Sequence, residues 1–438
     1  MWNRTSLGLM AGSALAGFSF WIDFLAILTL AAYEYRATAV EMAGISALLL
    51  VPGMLIGPLV GRGVDRARPA PILLVTLVLR ASATVLLLAG MPLPWFCALL
   101  VLRSFVAVPV EPASNVLVSR TIDQADVQRY FGTLGVLRNA SKIAAPVLGS
   151  AIASLLGERA SVALSVLLTS LALCCLVVAL RQPGRWLGEP CVADTSKGRQ
   201  AAEAATTVAP KKRALLRQLL WTVTTYAFMV FLINNQLPVL LHGAGFDKAL
   251  LGVLVSSSGA GGILAASILS RRRQPEADPM RATVVSVVAV AVCFCLLGIA
   301  FLLPTGSAEV AAAALFFLTG LFSSVEAVRA NVVIVQQFPD AVGAVSGKVS
   351  ALQSVAMLAA PWVAALLLPF VSMSALFAID GGMALLVLGV IHAVAWRGRG
   401  AAPPHAGPAD PAMAAPAESG TAATQADRTA RRHGTAGA

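Results

Sequence analysis

Twelve stretches of predominantly apolar residues follow one another along this 438-residue chain, each long enough to cross a bilayer as a helix. About 20 residues at 1.5 Å each cover the roughly 30 Å of a membrane's hydrocarbon core. Their centres fall near Phe20, Leu49, Val78, Val101, Val136, Leu168, Met229, Leu254, Val290, Leu315, Leu352 and Leu386. Only 12% of the residues are charged, against about 25% in soluble domains. No long run alternates apolar with polar residues, so the pattern predicts an all-α membrane protein and not a β-barrel. The first stretch follows Arg4 and contains Ala14-Leu15-Ala16, a weak cleavage pattern. It continues to about Ala32, beyond the length of a signal h-region, and reads as the first crossing helix.

Lysine and arginine divide the connections into two sides. With the N-terminus inside, the inner side receives Arg62, Arg66, Arg68, Arg120 and Arg129, then Lys197, Arg199, Lys211, Lys212 and Arg213, then Arg271, Arg272 and Arg273. The outer side holds little beyond Arg36, Arg159 and Lys248. The asymmetry predicts both termini in the cytoplasm and, for a bacterial chain, the inner membrane. It also accounts for the net charge of +11 without nucleic acid. The six cysteines (Cys97, Cys174, Cys175, Cys191, Cys293, Cys295) show neither disulfide nor metal spacing. His405 and His433 lie in a polar tail, and His242 and His392 stand alone near helix ends. No nucleophile–base pattern, metal cluster or cofactor motif is present, so an enzyme is not expected.

The hydrophobic segments fall into two groups of six. Residues 1–182 form the expected N-terminal bundle and residues 215–397 the C-terminal one. Residues 183–214, with Pro183, Pro190 and Lys211-Lys212-Arg213, read as a cytoplasmic linker. Residues 398–438 are rich in Ala, Pro, Gly and Thr and read as a disordered tail. The two groups share a passage. Gly132, Ser141, Ala145, Pro146 and Gly149 correspond to Gly347, Ala356, Ala360, Pro361 and Ala364, at 347 − 132 = 215 and 361 − 146 = 215. Val110-Glu111 and Val325-Glu326 keep the same offset, 326 − 111 = 215. Two such copies indicate a duplicated architecture of pseudo-symmetric bundles, with small residues and a proline forming a packing and hinge surface.

The link after the second stretch reads Gly57-Pro58-Leu59-Val60-Gly61-Arg62-Gly63-Val64-Asp65-Arg66. Gly61 followed by Asp65-Arg66 resembles the helix 2–3 signature of the major facilitator superfamily. The Gly132–Gly149 passage is similar to that family's antiporter signature, with Ser141 and Ala145 where it has glycines. Arg103 is placed like the family's helix 4 arginine, and Asn115 with Leu137-Arg138-Asn139 adds a likeness to its drug/proton antiporters, near macrolide and siderophore exporters. The resemblance covers about residues 5–397. It implies twelve helices in two six-helix bundles, alternating access, and a latch at Gly61, Asp65 and Arg66.

Ionisable groups inside crossing helices are costly, and each is a candidate for function. Asp23, within Phe20-Trp21-Ile22-Asp23-Phe24, is either a proton-coupling carboxylate or the fixed partner of an arginine. Arg103 belongs to the same coupling or charge network. Arg80, Arg138 and Lys142, with Asn234, Asn235 and Gln236, are candidate cavity residues, and their positive charge favours an anionic or zwitterionic cargo. Arg138, Lys142, Ala145 and Gly149 share one helix face at spacings of four, three and four. Glu111 and Glu326 are expected near the cytoplasmic ends of their helices, pairing with Arg66 or other basic residues as gate latches. Asp380 is an alternative proton site.

Together these features point to a monomeric secondary transporter exporting an amphipathic small molecule in exchange for protons, with membrane lipid as its only other partner. Proton-driven uptake of an organic solute is the alternative within the same fold. A non-transporting membrane sensor is a third, disfavoured because it has no need of intramembrane charge.

Overall fold

The computed structural model describes residues 4–36, 39–181, 210–234, 236–246, 248–272 and 278–400. Among these residues every regular element is a helix. In the first half α1 (Arg4–Thr29), continued by a π-turn at Leu30–Glu34, is followed by α2 (Ala39–Arg66) and α3 (Pro69–Leu87). The fourth crossing is broken into α4 (Leu93–Ala107) and α5 (Val110–Thr121), and α6 (Val127–Leu156) and α7 (Glu158–Leu180) complete the bundle. The second half comprises α8 (Pro210–Asn234) with its short continuation α9 (Leu237–Gly243), α10 (Lys248–Arg271) and α11 (Pro279–Ala300). It ends with α12 (Thr305–Gln337), α13 (Val342–Leu367) and α14 (Met373–Gly400). With the broken pairs joined, this is a twelve-helix membrane architecture. Eleven of the crossings are long and apolar enough by composition alone; α6 is not among them, and its middle carries Arg138, Asn139 and Lys142.

The repeat survives as geometry. α6 and α13 begin 342 − 127 = 215 residues apart, and α7 and α14 begin 373 − 158 = 215 apart. The copies part where proline intervenes. Pro109 sits between α4 and α5 and cannot donate a helical N–H, whereas its counterpart at 109 + 215 = 324 is Ser324, inside the uninterrupted α12.

Residues up to Ala395 form one compact unit containing both bundles. The expected linker and tail (183–214 and 398–438) fall mostly outside the described residues. Where described, their edges differ from expectation: α8 already starts at Pro210 and α14 runs on to Gly400. A proline suits the first helical position, where no intrahelical N–H bond is available to lose.

Cores form where helices bring large side chains together. One cluster, including Leu77, Val127, Tyr130, Val333 and Val335, draws on both bundles. A second, around Leu254, Val290, Phe294 and Phe377, lies within the C-terminal half. A third, around Ile27, Leu30, Leu87, Phe96 and Leu100, holds the far end of the N-terminal half. Apolar side chains facing outward, such as Leu55, Leu59, Trp95, Val178, Trp362 and Leu366, match lipid instead of water.

Candidate functional site

The site begins with the seam where the bundles meet. Two helix pairs form it, α2 with α13 and α6 with α10, and both meet through glycine. An added Cβ at Gly61 would collide with the Gly343 carbonyl, and one at Gly57 would lie 2.9 Å from the Gly347 carbonyl oxygen. At Gly132 the same atom would lie 2.6 Å from the Ser270 nitrogen, and at Gly262 it would lie 2.9 Å from Asn139. Only residues without side chains let two helix backbones approach this closely.

Polar contacts tighten the same end. The Asp65 carboxylate accepts from the Gly343 N–H at 2.6 Å and the Ala344 N–H at 2.7 Å, the first free donors of α13. Asn115 Nδ2 donates to Ser346 at 3.1 Å and Asn139 Nδ2 to Ser324 at 3.2 Å. Arg329 Nη1 donates to Gln128 at 2.9 Å, and Gln336 Nε2 to the Gln124 carbonyl at 2.9 Å. Toward the opposite end the resolved bonds run within bundles: Tyr35 to the Met91 carbonyl, Arg159 to Glu34, and Gln236 to the Pro361 carbonyl. Among the described residues, the side-chain bonds that join the two bundles gather at one end.

Asp65 is a charged member of this closure whose two bonds are charge-assisted at a helix N-terminus. Asp65→Asn keeps the shape but removes the charge, a loss of about 1 kcal/mol. The expected outcome is a several-fold rise in labelling of a cysteine placed at Ser346, with folding unchanged; equal labelling would show that the carboxylate does not hold the seam.

Where the bundles separate, α6 presents cations. Its Gly132, Gly135 and Asn139 face α10 and α12, while Tyr130 and Arg138 approach Ser13 and Gly17 of α1. At about 100° per residue Lys142 lies roughly 40° from Arg138 and 60° from Asn139, so it points into the gap between those neighbours. Both Arg138 and Lys142 are solvent-reachable although they lie mid-helix. The Lys142 Nζ lies 5.9 Å from the centre of the Trp21 ring, and Trp21 packs edge-to-face with Phe20 and Phe24.

Behind those aromatics lies a buried ion cluster. Asp23 is 2% exposed, Arg80 5% and Arg103 6%. Arg80 Nη2 reaches Asp23 Oδ2 at 3.3 Å, Arg103 Nη2 pairs with the same oxygen, and Ser165 Oγ donates to Oδ1 at 3.3 Å. Arg103 Nε donates to Thr84 at 2.9 Å, and the Arg80 guanidinium lies 5.7 Å from the Phe20 ring centre. Protonating Asp23 would leave two guanidiniums buried without their counter-charge, a heavy cost. Of the two roles open to Asp23, the geometry favours the fixed partner. Arg80, expected to line the cavity, belongs to this cluster instead, because α3 turns it toward α1.

The two glutamates also need correction. Glu111 opens α5 and Glu326 lies 11 residues before the end of α12, so each is about 15 Å from its helix end and near mid-depth. Neither meets Arg66, which is exposed at the end of α2. Glu111 accepts from Ser350 at 2.8 Å. Glu326 is 2% exposed, and its Oε1 has no hydrogen-bond partner.

Of the remaining candidates, Asn234 is exposed at the end of α8 and Gln236 Nε2 donates to the Pro361 carbonyl at 3.4 Å, while Asn235 lies outside the described residues. Ser141 bonds the Leu137 carbonyl of its own helix at 2.7 Å, and Ala145 is fully buried. Pro146 lies within α6. Gly149 has open space where a Cβ would stand, but Gly347 is pressed against Gly57. Sequence reasoning passed over Arg329 and Gln128, although an arginine inside an apolar run was visible. It also passed over Trp21, Tyr226 and Ser165, which nothing but their neighbours in space distinguishes.

Comparison with known proteins adds family evidence to this geometry. The model of the Major Facilitator Superfamily matches residues 9–312. A protein of Bacillus subtilis (strain 168), described as the uncharacterized MFS-type transporter YfiS, is 24% identical over 269 residues. The matched stretch is 60% of this chain and 63% of that protein, less than two thirds of the relative's length. Among solved structures, the human organic anion transporter MFSD10 (TETRAN) superposes with a TM-score of 0.71 at 19% identity, over 89% of this chain and 99% of that one. A bacterial homologue of the iron transporter ferroportin, in an outward-facing state, gives a TM-score of 0.66 at 12% identity, over 91% and 100%. At these identities the structural likeness is one of fold.

Proposed function

The chain belongs to the major facilitator superfamily, and on that premise we propose that it is a proton-coupled secondary transporter moving an amphipathic small molecule by alternating access. The observation that carries this reading is the one-ended closure around charge: a glycine seam at one end, and at mid-depth two cations facing the gap. A structural scaffold has no use for exposed cations at that depth, whereas rocking of one bundle against the other about such a site would deliver a bound molecule to either side.

Lysine and arginine crowd the zipped end, which supports a cytoplasmic location for that end and for both termini. In that orientation the conformation described is outward-open, and the host is a cytoplasmic (inner) membrane. Arg138 and Lys142 beside Trp21 suit a cargo with a negatively charged group and an apolar body. A fold neighbour described as an organic anion transporter is in keeping with that chemistry.

The antiporter-like passage on α6 favours export in exchange for protons. Uptake together with protons has its own support in Glu326, a carboxylate buried near mid-depth with one oxygen that accepts no hydrogen bond. Purified protein in liposomes containing a pH-sensitive dye tests both. Amphipathic anions, zwitterions and cations are added in turn, and at least one class is expected to drive proton movement, its direction separating exchange from cotransport. Silence across all three classes from folded protein would favour the non-transporting sensor.

A further inference from the structure

We propose that the break between α4 and α5 is a subsite for a primary ammonium group of the cargo, with the Glu111 carboxylate as its counter-ion, so that the cargo is an amphipathic zwitterion and not a simple anion. The inference rests on the transport reading above and narrows its cargo class.

Two prolines make the break. Pro109 and Pro112 carry no N–H, so the Phe105 and Val108 carbonyls lose the donors that a helix supplies four residues on. The Phe105 carbonyl accepts from the Val108 N–H at 3.3 Å instead, and the Ala113 N–H goes to the Pro109 carbonyl at 2.9 Å. The donor due to the Val108 carbonyl would be that of Pro112. In the second copy the same positions are 109 + 215 = 324 and 112 + 215 = 327. They hold Ser324 and Ala327, inside the uninterrupted α12, and both have an N–H to give. The surplus of acceptors therefore belongs to one bundle alone.

Glu111 stands at this point. It lies in the first turn of α5, three residues after Val108, and a helical side chain leans back over the turn before its own, toward that carbonyl. The residue is exposed, and its partner at 2.8 Å is Ser350 of the opposite bundle. The face it shows is therefore the one between the bundles and not lipid. The Ser350 hydroxyl proton is directed to Glu111 Oε2, which leaves lone pairs on the Ser350 oxygen. Carboxylate, carbonyl and hydroxyl oxygen make three acceptors with no free donor among them. A primary ammonium brings three N–H donors on one compact charge. At the other pole, Arg138 and Lys142 lie 138 − 127 = 11 and 142 − 127 = 15 residues into α6. That is about 17 and 22 Å from its start, against about 15 Å for Glu111 from the end of α5. The two poles thus differ in height by about 2–7 Å, within the reach of one small zwitterion. Trp21, beside Lys142, and Phe20 offer apolar surface to its body.

Calorimetry on the full-length protein in detergent compares ω-aminooctanoate with octanoate and with the trimethylated form of the amine, which keeps the positive charge but has no N–H. The wild type is expected to bind ω-aminooctanoate about tenfold or more tightly than octanoate, and trimethylation should remove most of that advantage. Glu111→Gln should bind ω-aminooctanoate and octanoate alike. Pro112→Ala, which gives the Val108 carbonyl an N–H, should reduce the advantage several-fold with Glu111 intact. A preference retained in folded Glu111→Gln, equal binding of the trimethylated form, or no preference in the wild type would each overturn the proposal. So would loss of the preference when sodium chloride replaces choline chloride, which would assign the acceptors to an inorganic cation. Should Glu111→Gln fail to fold, Pro112→Ala and the trimethylated probe decide the matter. Those results are separate from failure of the transport reading, which would appear as silence of all cargo classes in the liposome assay.

Discussion

Asp23→Asn is expected to unfold the protein more readily and not merely to uncouple it. The substitution removes the single negative charge shared by Arg80 and Arg103, all three being nearly fully buried. Leaving one partner of a buried pair without its counter-charge costs about 3–5 kcal/mol, and here two guanidiniums lose theirs. In a chain of this size that corresponds to a fall in unfolding temperature of about 3–5 °C. The decisive comparison adds two further changes. If the damage comes from uncompensated charge, Asp23→Asn combined with Arg80→Gln and Arg103→Gln should recover much of the lost stability, because hydrogen-bonding neutral groups then fill the same space. Thermal unfolding followed by size-exclusion chromatography in detergent measures all of these. An Asp23→Asn protein as stable as wild type would return Asp23 to the list of groups free to titrate.

The second large effect is conformational. Gly347→Val places three carbon atoms where the Gly57 carbonyl now stands, and backbone on the facing helix has nowhere to retreat within a closed seam. The state with the seam closed is then disfavoured, while a state with that end parted has room for the side chain. Reversing a population from 99:1 to 1:99 requires about 5.5 kcal/mol, within reach of a backbone overlap of this severity. Spin labels at Arg68 and Arg272, both exposed beside the seam, should move apart by double electron–electron resonance. Gly149→Val serves as the control, since its added atoms meet open space. Unchanged label distances in folded Gly347→Val would mean that the seam is not what decides between the two states.

Much of this architecture could be read from the chain, and the unreadable part has a physical cause. Crossing helices announce themselves because lipid admits no polar backbone. The repeat was visible because small residues recur at offset 215, and α6 with α13 begins in register. Depth was harder: a crossing of about 20 residues centred near Val101 ends at Glu111, whereas the fourth crossing runs on to Thr121. Rotation was harder still. Asp23, Arg80, Arg103 and Ser165 stand on four helices, and no spacing along the chain says which of their faces converge. From its spacing Arg80 reads as a cavity residue, whereas α3 turns it to Asp23. Glu111 and Glu326 are equivalent by register, yet one accepts from Ser350 and the other keeps an oxygen that accepts no hydrogen bond, because the residues opposite them were not duplicated with them. Chemistry at an interface depends on the partner surface, which a repeat cannot report.

The buried cluster of α1, α3 and α4 holds one carboxylate and two guanidiniums, a net charge of −1 + 2 = +1. That surplus sits directly behind Phe20 and Trp21, at the wall of the cavity. Across about 10 Å, with an effective dielectric constant near 20, one unit charge attracts an anion by about 1.7 kcal/mol, roughly a fifteenfold enrichment. The cavity would thus gather anions and thin out cations before any molecule touched Lys142. On the proposed function, a group that makes no contact with the cargo would act as a filter on what arrives.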